Sequence, residues 1–226
     1  MTTKIGVIES KWGQKGNGIS KNTTVRPLFD FISDLHFGNH HAYEYELVGN
    51  RSAFRDAFRR QANSRAVSFV YIAMHGSADG LHLHGGEKIT RTILKNDLLE
   101  VDQSNGANIT GLFLGSCMFG SHALADFLFK NDCRLTWIAG YEDSVDFVSS
   151  SGLDMLFFNT LISVRESNPR QSNLHKIKEV ARRMKIQMQG LCNTSLENCD
   201  PHCGLGFSIF IRKTGRTKGA MDLMRG

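Results

Sequence analysis

Two kinds of apolar pattern alternate along the chain. Some segments are short and almost wholly apolar, which is typical of strands buried on both faces of a parallel sheet. Others are longer and carry apolar residues at helical spacing, which predicts amphipathic helices. The predicted strands are KIGVIES, AYEYELVGN, AVSFVYIAM, ITGLFLGSC, LTWIAGYED and GLGFSIFIRK. Helices are predicted in the intervening segments, among them VRPLFDFISDLHF, RSAFRDAFRRQAN, SGLDMLFFNTLISVRE and LHKIKEVARRMKIQM.

The order of these elements predicts an α/β protein. Strands and helices alternate, which favours a mostly parallel, six-stranded sheet with helices on both of its faces. The segment GLHLHGGEKIT departs from this alternation and predicts a hairpin around Gly85-Gly86. Because the chain contains no repeat, no low-complexity segment and no clear linker, we expect residues 1–226 to form a single domain. A basic C-terminal tail is expected at about residues 213–226.

The composition is that of an ordinary globular protein, with 41% of the 226 residues hydrophobic and 22% charged. No segment approaches the apolar length that crosses a membrane, so we expect no membrane association. The N-terminus also lacks the pattern of a secretory signal. The five cysteines are an odd number without regular spacing, which favours a reducing cytoplasm over a disulfide framework.

The net charge is +5 and the isoelectric point about 9.0. Such a balance is compatible with nucleic-acid binding. The lysines and arginines are nevertheless spread along the chain and are not interleaved with aromatic residues in any basic patch. We therefore interpret the charge as a solvated basic surface, and we do not expect nucleic acid to be a partner.

Two of the predicted strands end on reactive side chains. One ends at Met74 and is followed by His75 and Gly76, and the other ends in LFLGSC, with Cys117. A hairpin and one helix separate them, which is a crossover that places the second strand beside the first. Ligands of open α/β sheets bind at the carboxyl ends of the strands. Since an imidazole can generate or stabilise a nucleophilic thiolate, His75 and Cys117 are candidate catalytic residues.

Gly76 fits the same hypothesis. Without a side chain it would not crowd a substrate carbonyl, and its N–H, together with that of Cys117, can face a developing oxyanion. Gly115, Ser116 and Gly120 likewise keep the backbone around the thiol open. The alternative remains that the cysteine is a small buried hydrophobe and the histidine a structural polar residue.

A strand ending in VYIAMHG, then a hairpin, a helix and a strand ending in GLFLGSC, resembles the caspase-like cysteine peptidases. The layout is most similar to their CHAT and separase branch, over roughly residues 4–165. The resemblance implies the three-layer caspase-like sandwich, with His75 as general base and Cys117 as nucleophile. It also implies hydrolysis of a peptide bond through an acyl-enzyme, without a cofactor.

The chain departs from the family at the position two residues before the cysteine. Gly115 stands where metacaspases carry Asp and caspases Gln, so it cannot form the pocket for the residue before the cut. The chain resembles separases in this respect, since their acidic pocket residue follows the next strand. Asp146 and Asp143 match that position and imply a preference for a basic residue, with Ser116 placed in the same pocket. The alternative is that these acids cap a helix.

Two other groups could bind a metal. The segment LCNTSLENCDPHCG contains soft ligands at a spacing that fits no common zinc template, so free thiols in a loop are favoured. Its candidate ligands are Cys192, Cys199, His202 and Cys203. His82 and His84 alternate on the hairpin and face one side, but they are better interpreted as solvated residues. No metal site is predicted.

The sequence therefore favours a cytoplasmic cysteine endopeptidase that acts on a protein or peptide, with an activating or regulatory partner protein as one means of control. One alternative is a catalytically silent caspase-like module that binds partners. Another is a flavodoxin-like protein that binds a nucleotide or signal ligand. The two binding alternatives gain nothing from His75 and Cys117 together, whereas the enzyme needs both.

Overall fold

The computed structural model of the protein describes residues 4–11, 24–39, 42–103, 108–191, 205–214 and 218–225. Within them a large sheet contains seven strands: β1 Lys4–Glu9, β2 Tyr43–Leu47, β3 Val67–Ala73, β7 Gly111–Leu114, β8 Trp137–Tyr141, β9 Phe207–Arg212 and β10 Ala220–Asp222. A small sheet contains β4 His75–Ser77, β5 Gly80–His82 and β6 Lys88–Ile89. The helices are α1 Arg26–Phe37, α2 Arg51–Asn63, α3 Arg91–Gln103, α4 His122–Lys130, α5 Phe147–Ser167 and α6 Asn173–Leu191.

The large sheet has the strand order β10-β9-β8-β7-β3-β1-β2. Its five strands from β8 to β2 are parallel, whereas β9 and β10 pair antiparallel at one edge. The expected fold class, a mostly parallel α/β sheet with helices on both faces, is confirmed. The central strands are apolar throughout because each face of the sheet packs against helices.

The expected number of six strands is wrong by one. The seventh strand, β10, lies in the stretch that was expected to be only a basic tail. It pairs with β9, and the Ala220 N–H donates to Asp126 on α4 at 3.2 Å. A three-residue strand with one buried apolar position is too short to produce a recognisable alternation, so the sequence pattern gave no signal for it.

Two apolar cores flank the large sheet. Alternate side chains of each strand point to opposite faces, so Tyr71 and Phe113 enter one core while Ile72 and Leu114 enter the other. The first core packs α1, α5 and α6 against the sheet, and the second packs α2, α3 and α4. The result is the three-layer sandwich that the resemblance implied.

Helix α5 lies in the first core. By length and composition alone it could cross a membrane. Its apolar residues are instead accounted for by burial, since Leu153, Phe157, Phe158 and Leu161 pack in the core. Such a helix is weak evidence for a membrane span.

Candidate active site

The carboxyl ends of β3 and β7 lie side by side, as the sequence predicted. The strands are parallel neighbours, with Ile72 opposite Leu114. The Gly115 N–H extends the ladder by donating to the Ile72 carbonyl at 2.9 Å. His75 lies three residues after Ile72, and Cys117 lies three residues after Leu114. Both residues therefore follow the carboxyl ends of the two strands at the same level.

Gly76 is in direct contact with Cys117. A Cβ atom added at Gly76 would lie 2.2 Å from the Cys117 carbonyl oxygen and 3.1 Å from the Cys117 N. It would also lie 3.0 Å from the Cβ of Ser116. The first separation is far below any van der Waals contact, so only glycine fits here. The physical reason differs from the expected one, because a side chain would collide with Cys117 itself before it reached a substrate.

Cys117 lies on a tight turn. Its carbonyl accepts a hydrogen bond from the Phe119 N–H at 2.7 Å, and the intervening Met118 has a φ of 61°. A hydrogen bond between residues i and i+2 around a positive φ is the arrangement of a γ-turn, which is strained for a residue with a side chain. The turn is attached to the β8–α5 segment, because the Met118 N–H donates to the Asp143 carbonyl at 3.0 Å. Cys117 remains partly exposed.

The Cys117 thiol is held by the backbone of Val145. Sγ lies 3.4 Å from the Val145 nitrogen and 3.5 Å from the Val145 oxygen, so the thiol accepts from the N–H and donates to the carbonyl. Cys133, in contrast to the partly exposed Cys117, is fully buried, and burial raises the pKa of the Cys133 thiol to about 11.

His75 begins the first strand of the small sheet. It is exposed, and it lies directly opposite His82 in the antiparallel pair of β4 and β5. His82 is oriented by Ser77, whose hydroxyl lies 2.8 Å from the His82 Nε2 and donates to Asp79 at 2.5 Å. The hairpin predicted around Gly85-Gly86 is confirmed as β5 and β6, whereas the strand that begins at His75 itself was not foreseen.

The predicted pocket residues lie close to Cys117 in different settings. Asp146 caps α5, as the alternative interpretation held: its carboxylate accepts from the Val148 and Ser149 N–H groups, both at 2.9 Å. Hydrogen bonding by Ser149, through its hydroxyl and its backbone, lowers the Asp146 pKa, and the Val148 N–H adds to this. Asp143 is exposed and its carboxylate lies against Gly206. A pocket role for either residue stays a prediction.

Ser116 is buried, with 1% of its surface exposed, and its hydroxyl finds no hydrogen-bond partner within the described residues. A pocket role for Ser116 stays a prediction. The described residues include His82 and His84. Among them, no three potential metal ligands are grouped so that they could hold an ion. The four residues Cys192, Cys199, His202 and Cys203 fall outside the described residues.

The sequence did not reveal a buried carboxyl that joins β3 and β8 to α5. Asp154 of α5 accepts hydrogen bonds from Tyr71 of β3 at 2.6 Å and from Tyr141 of β8 at 2.5 Å. Burial raises the pKa of Asp154 to about 7, although hydrogen bonds from Tyr141 and Tyr71 oppose the increase. The available signal was a lone acidic residue in an apolar helix, in the segment SGLDMLFF.

We expect the stability of the protein to depend on pH through Asp154. Between about pH 5 and 7 the folded protein keeps a proton on Asp154 that the unfolded chain has released, since the ordinary pKa is 3.8. The free energy of unfolding should therefore fall with rising pH, by up to about 1.4 kcal/mol per pH unit, and level off above about pH 7. Urea denaturation of Asp154→Asn should lack this slope.

The control for this measurement is Asp56→Asn, which removes an exposed carboxylate on α2, and it should keep the wild-type slope. If the free energies of unfolding of the wild type and Asp154→Asn run parallel from pH 5 to pH 8, the buried carboxyl does not titrate in this range.

Comparisons with known proteins support the fold. No family model and no curated protein matches the sequence. Among solved structures, the fold is similar to that of a secreted C11 cysteine protease from Bacteroides thetaiotaomicron, determined in complex with an irreversible peptide inhibitor. The TM-score is 0.52 at 9% sequence identity, and the match covers 93% of this chain and 66% of that one. This likeness supports the caspase-like fold but gives no support to the CHAT and separase branch.

Proposed function

We propose that this protein is a caspase-like cysteine endopeptidase with Cys117 as nucleophile and His75 as general base. The observation that carries the proposal is the contact of Gly76 with the Cys117 backbone at the shared edge of β3 and β7. This contact brings the two sequence motifs together at the place where α/β sheets bind ligands. The solved structure of similar fold is named as a cysteine protease, which supports the same reaction class.

The proposed reaction has two steps. His75 takes the proton from the Cys117 thiol, and the thiolate attacks the carbonyl carbon of the peptide bond. The N–H groups of Gly76 and Cys117 stabilise the oxyanion, and the carbon–nitrogen bond breaks as the imidazolium of His75 donates its proton to the leaving amine. Water, deprotonated by His75, then attacks the thioester carbon, the carbon–sulfur bond breaks, and the imidazolium of His75 returns its proton to the Cys117 thiolate. No cofactor is needed in either step.

The specificity is proposed to favour a basic residue before the cut. Asp143 is the first of the two candidate acids, because it is an exposed residue whose backbone carbonyl accepts from the Met118 N–H in the Cys117 turn. Asp146 caps α5 through one of its oxygens and also accepts a hydrogen bond from the Ser149 side chain, so its carboxylate is more fully engaged within the protein. The substrate is accordingly proposed to be a protein or peptide with Lys or Arg at the cleavage site.

The proposal is tested with thiol-directed peptide probes that carry Arg, Lys, Asp or Leu next to the reactive group. Labelling is read by intact mass and the labelled cysteine by peptide mapping. Labelling of Cys117 that favours the basic probes supports the peptidase and its acidic pocket. Labelling spread over other cysteines favours the silent partner-binding module. Labelling that appears only after addition of a partner protein would identify the proposed regulator.

We expect Asp143→Asn to reduce cleavage of Arg and Lys substrates by about tenfold to a hundredfold, because a charge-assisted contact to the substrate is lost. Hydrolysis of a Leu substrate should change little. The comparison of kcat/KM for both substrates measures this, with Asp56→Asn as the surface control. An equal loss for both substrates would show that Asp143 supports the turn after Cys117 and does not select the substrate.

Localisation in the cytoplasm and membership of the CHAT and separase branch are further parts of this proposal. They rest on the irregular cysteine usage and on the layout of the two motifs. Nucleic acid is not proposed as a partner, because the lysines and arginines are spread along the chain. A membrane is not proposed either, because apolar residues of α5 pack in the core.

A further inference from the structure

One buried carboxyl connects both strands that flank β7. Asp154 Oδ2 lies 2.6 Å from the Tyr71 hydroxyl on β3, and its Oδ1 lies 2.5 Å from the Tyr141 hydroxyl on β8. Since β7 lies between β3 and β8, the carboxyl spans the carboxyl end of the strand that leads to Cys117. All three side chains are fully or almost fully buried.

The Tyr71 hydroxyl packs against the backbone at Gly115, which leads into the Cys117 turn. A Cβ atom added at Gly115 would lie 2.3 Å from the Tyr71 hydroxyl oxygen. The hydroxyl therefore occupies the space of a side chain at Gly115, two residues before Cys117. This contact explains the glycine at a position where related peptidases carry a pocket residue.

The Tyr141 hydroxyl joins the two ends of the segment that contains Val145. The chain leaves β8 after Tyr141, passes Val145 and returns in the first turn of α5. There the Tyr141 hydroxyl lies 3.0 Å from the Ser150 carbonyl, one helical turn before Asp154. The segment 142–149 is thus joined at its base by the same hydroxyl that contacts the carboxyl.

We propose that Asp154 is a positioning residue for Cys117, which it aligns with the Val145 N–H by fixing Tyr71 and Tyr141. The carboxyl acts on both partners of the contact between Sγ and Val145: on Cys117 through Tyr71 and Gly115, and on Val145 through Tyr141 and the base of its loop. The inference rests on the proposed function only in taking the Cys117 thiol as the reactive group.

The hydrogen bonds of this cluster have two arrangements, which depend on one proton. When Asp154 is protonated it donates to the Tyr141 oxygen, and Tyr141 donates to the Ser150 carbonyl. When Asp154 is ionised, both tyrosines donate to the carboxylate and the Ser150 carbonyl loses its Tyr141 donor. The titratable groups that face Asp154 are these two tyrosines, with Glu9 of β1 acting on Tyr71. Among the described residues no cation forms an ion pair with it.

The test is the rate at which iodoacetamide alkylates Cys117, followed in the peptide that contains it from pH 5.5 to pH 9. Asp154→Ala should lower the rate by about tenfold or more, because small displacements of a reacting group have large kinetic effects. Asp154→Asn replaces the carboxyl by a neutral group of nearly the same shape and so imitates the protonated form of Asp154. It should match the wild type near pH 6 and lack the inflection that ionisation of Asp154 adds near neutral pH.

Two further variants separate positioning from stability. Tyr141→Phe removes one hydroxyl and should lower the alkylation rate while the protein stays folded, as judged by thermal denaturation. Asp97→Asn removes another buried carboxyl, on α3 across the sheet, and should leave the Cys117 rate unchanged. The inference is overturned if Asp154→Ala reacts within about twofold of the wild type, or if Asp97→Asn reproduces its loss.

Peptide hydrolysis, measured in parallel, distinguishes this inference from the proposed function. If alkylation of Cys117 depends on Asp154 but no peptide is cleaved, Asp154 positions the thiol and the peptidase proposal fails. If peptides are cleaved and the Asp154 variants leave the alkylation profile unchanged, the peptidase stands and the positioning role is wrong.

Discussion

Cys117→Ala is expected to abolish peptide hydrolysis, with a loss of at least about a thousandfold in kcat, because the thiol that forms the proposed acyl-enzyme is removed. Cys133, the other cysteine of the described residues, is buried and its thiol pKa is raised to about 11. His75→Ala should lower kcat/KM by about a hundredfold to ten-thousandfold, the usual contribution of a general base. Steady-state hydrolysis of an Arg-containing peptide measures both losses.

The matched controls for the dyad are Cys133→Ala and His84→Ala. Cys133 tests whether loss of any thiol matters, and His84 is an exposed imidazole in the turn that joins β5 to β6. Both variants should retain wild-type hydrolysis. If Cys117→Ala retains activity, or if His84→Ala loses as much as His75→Ala, the assignment of the dyad is wrong and the partner-binding alternative gains weight.

Gly76→Ala is expected to reduce hydrolysis by about a hundredfold or more while the fold persists. The added methyl group would lie 2.2 Å from the Cys117 carbonyl oxygen, which is a backbone atom and cannot move aside alone. The His75-Gly76 strand must therefore shift away from the Cys117 turn, which disturbs both the distance from base to nucleophile and the oxyanion donors. We also expect a decrease of about 1–3 kcal/mol in the free energy of unfolding, as for other overpacked sites.

The control is Gly152→Ala in α5, where an added methyl group meets no atom within 4 Å. It should leave hydrolysis unchanged and stabilise the helix slightly. Circular dichroism and thermal denaturation confirm the fold of both variants. Wild-type activity in Gly76→Ala would mean that the contact with Cys117 has no role in catalysis.

The β-strands of the large sheet illustrate what a sequence pattern can and cannot predict. Six strands were recognisable: five have nearly continuous apolar runs because they are buried on both faces, and β2, at one edge, has an alternating pattern. The seventh, β10, lies at an edge and is only three residues long. Its position depends on pairing with β9 and on Asp126 of α4, and neither contact leaves a local pattern.

The candidate site was predictable to a similar degree. His75, Gly76 and Cys117 were found because each directly follows an apolar strand, and the rule for parallel sheets places such ends together. Asp146 was named as a pocket acid, with an N-cap as the alternative, and the structure shows the cap. Asp154 was missed because its partners, Tyr71 and Tyr141, are distant along the chain.

The sequence by itself determined the α/β class, six of the seven strands of the large sheet and the two residues on which the proposed chemistry depends. These features follow from hydrophobic periodicity, which is local and is therefore written in consecutive residues. Only the tertiary structure decided that Gly76 contacts Cys117, that Val145 holds the thiol and that one buried carboxyl binds both Tyr71 and Tyr141. Such contacts join residues far apart in sequence, and their geometry depends on how the strands and helices pack together.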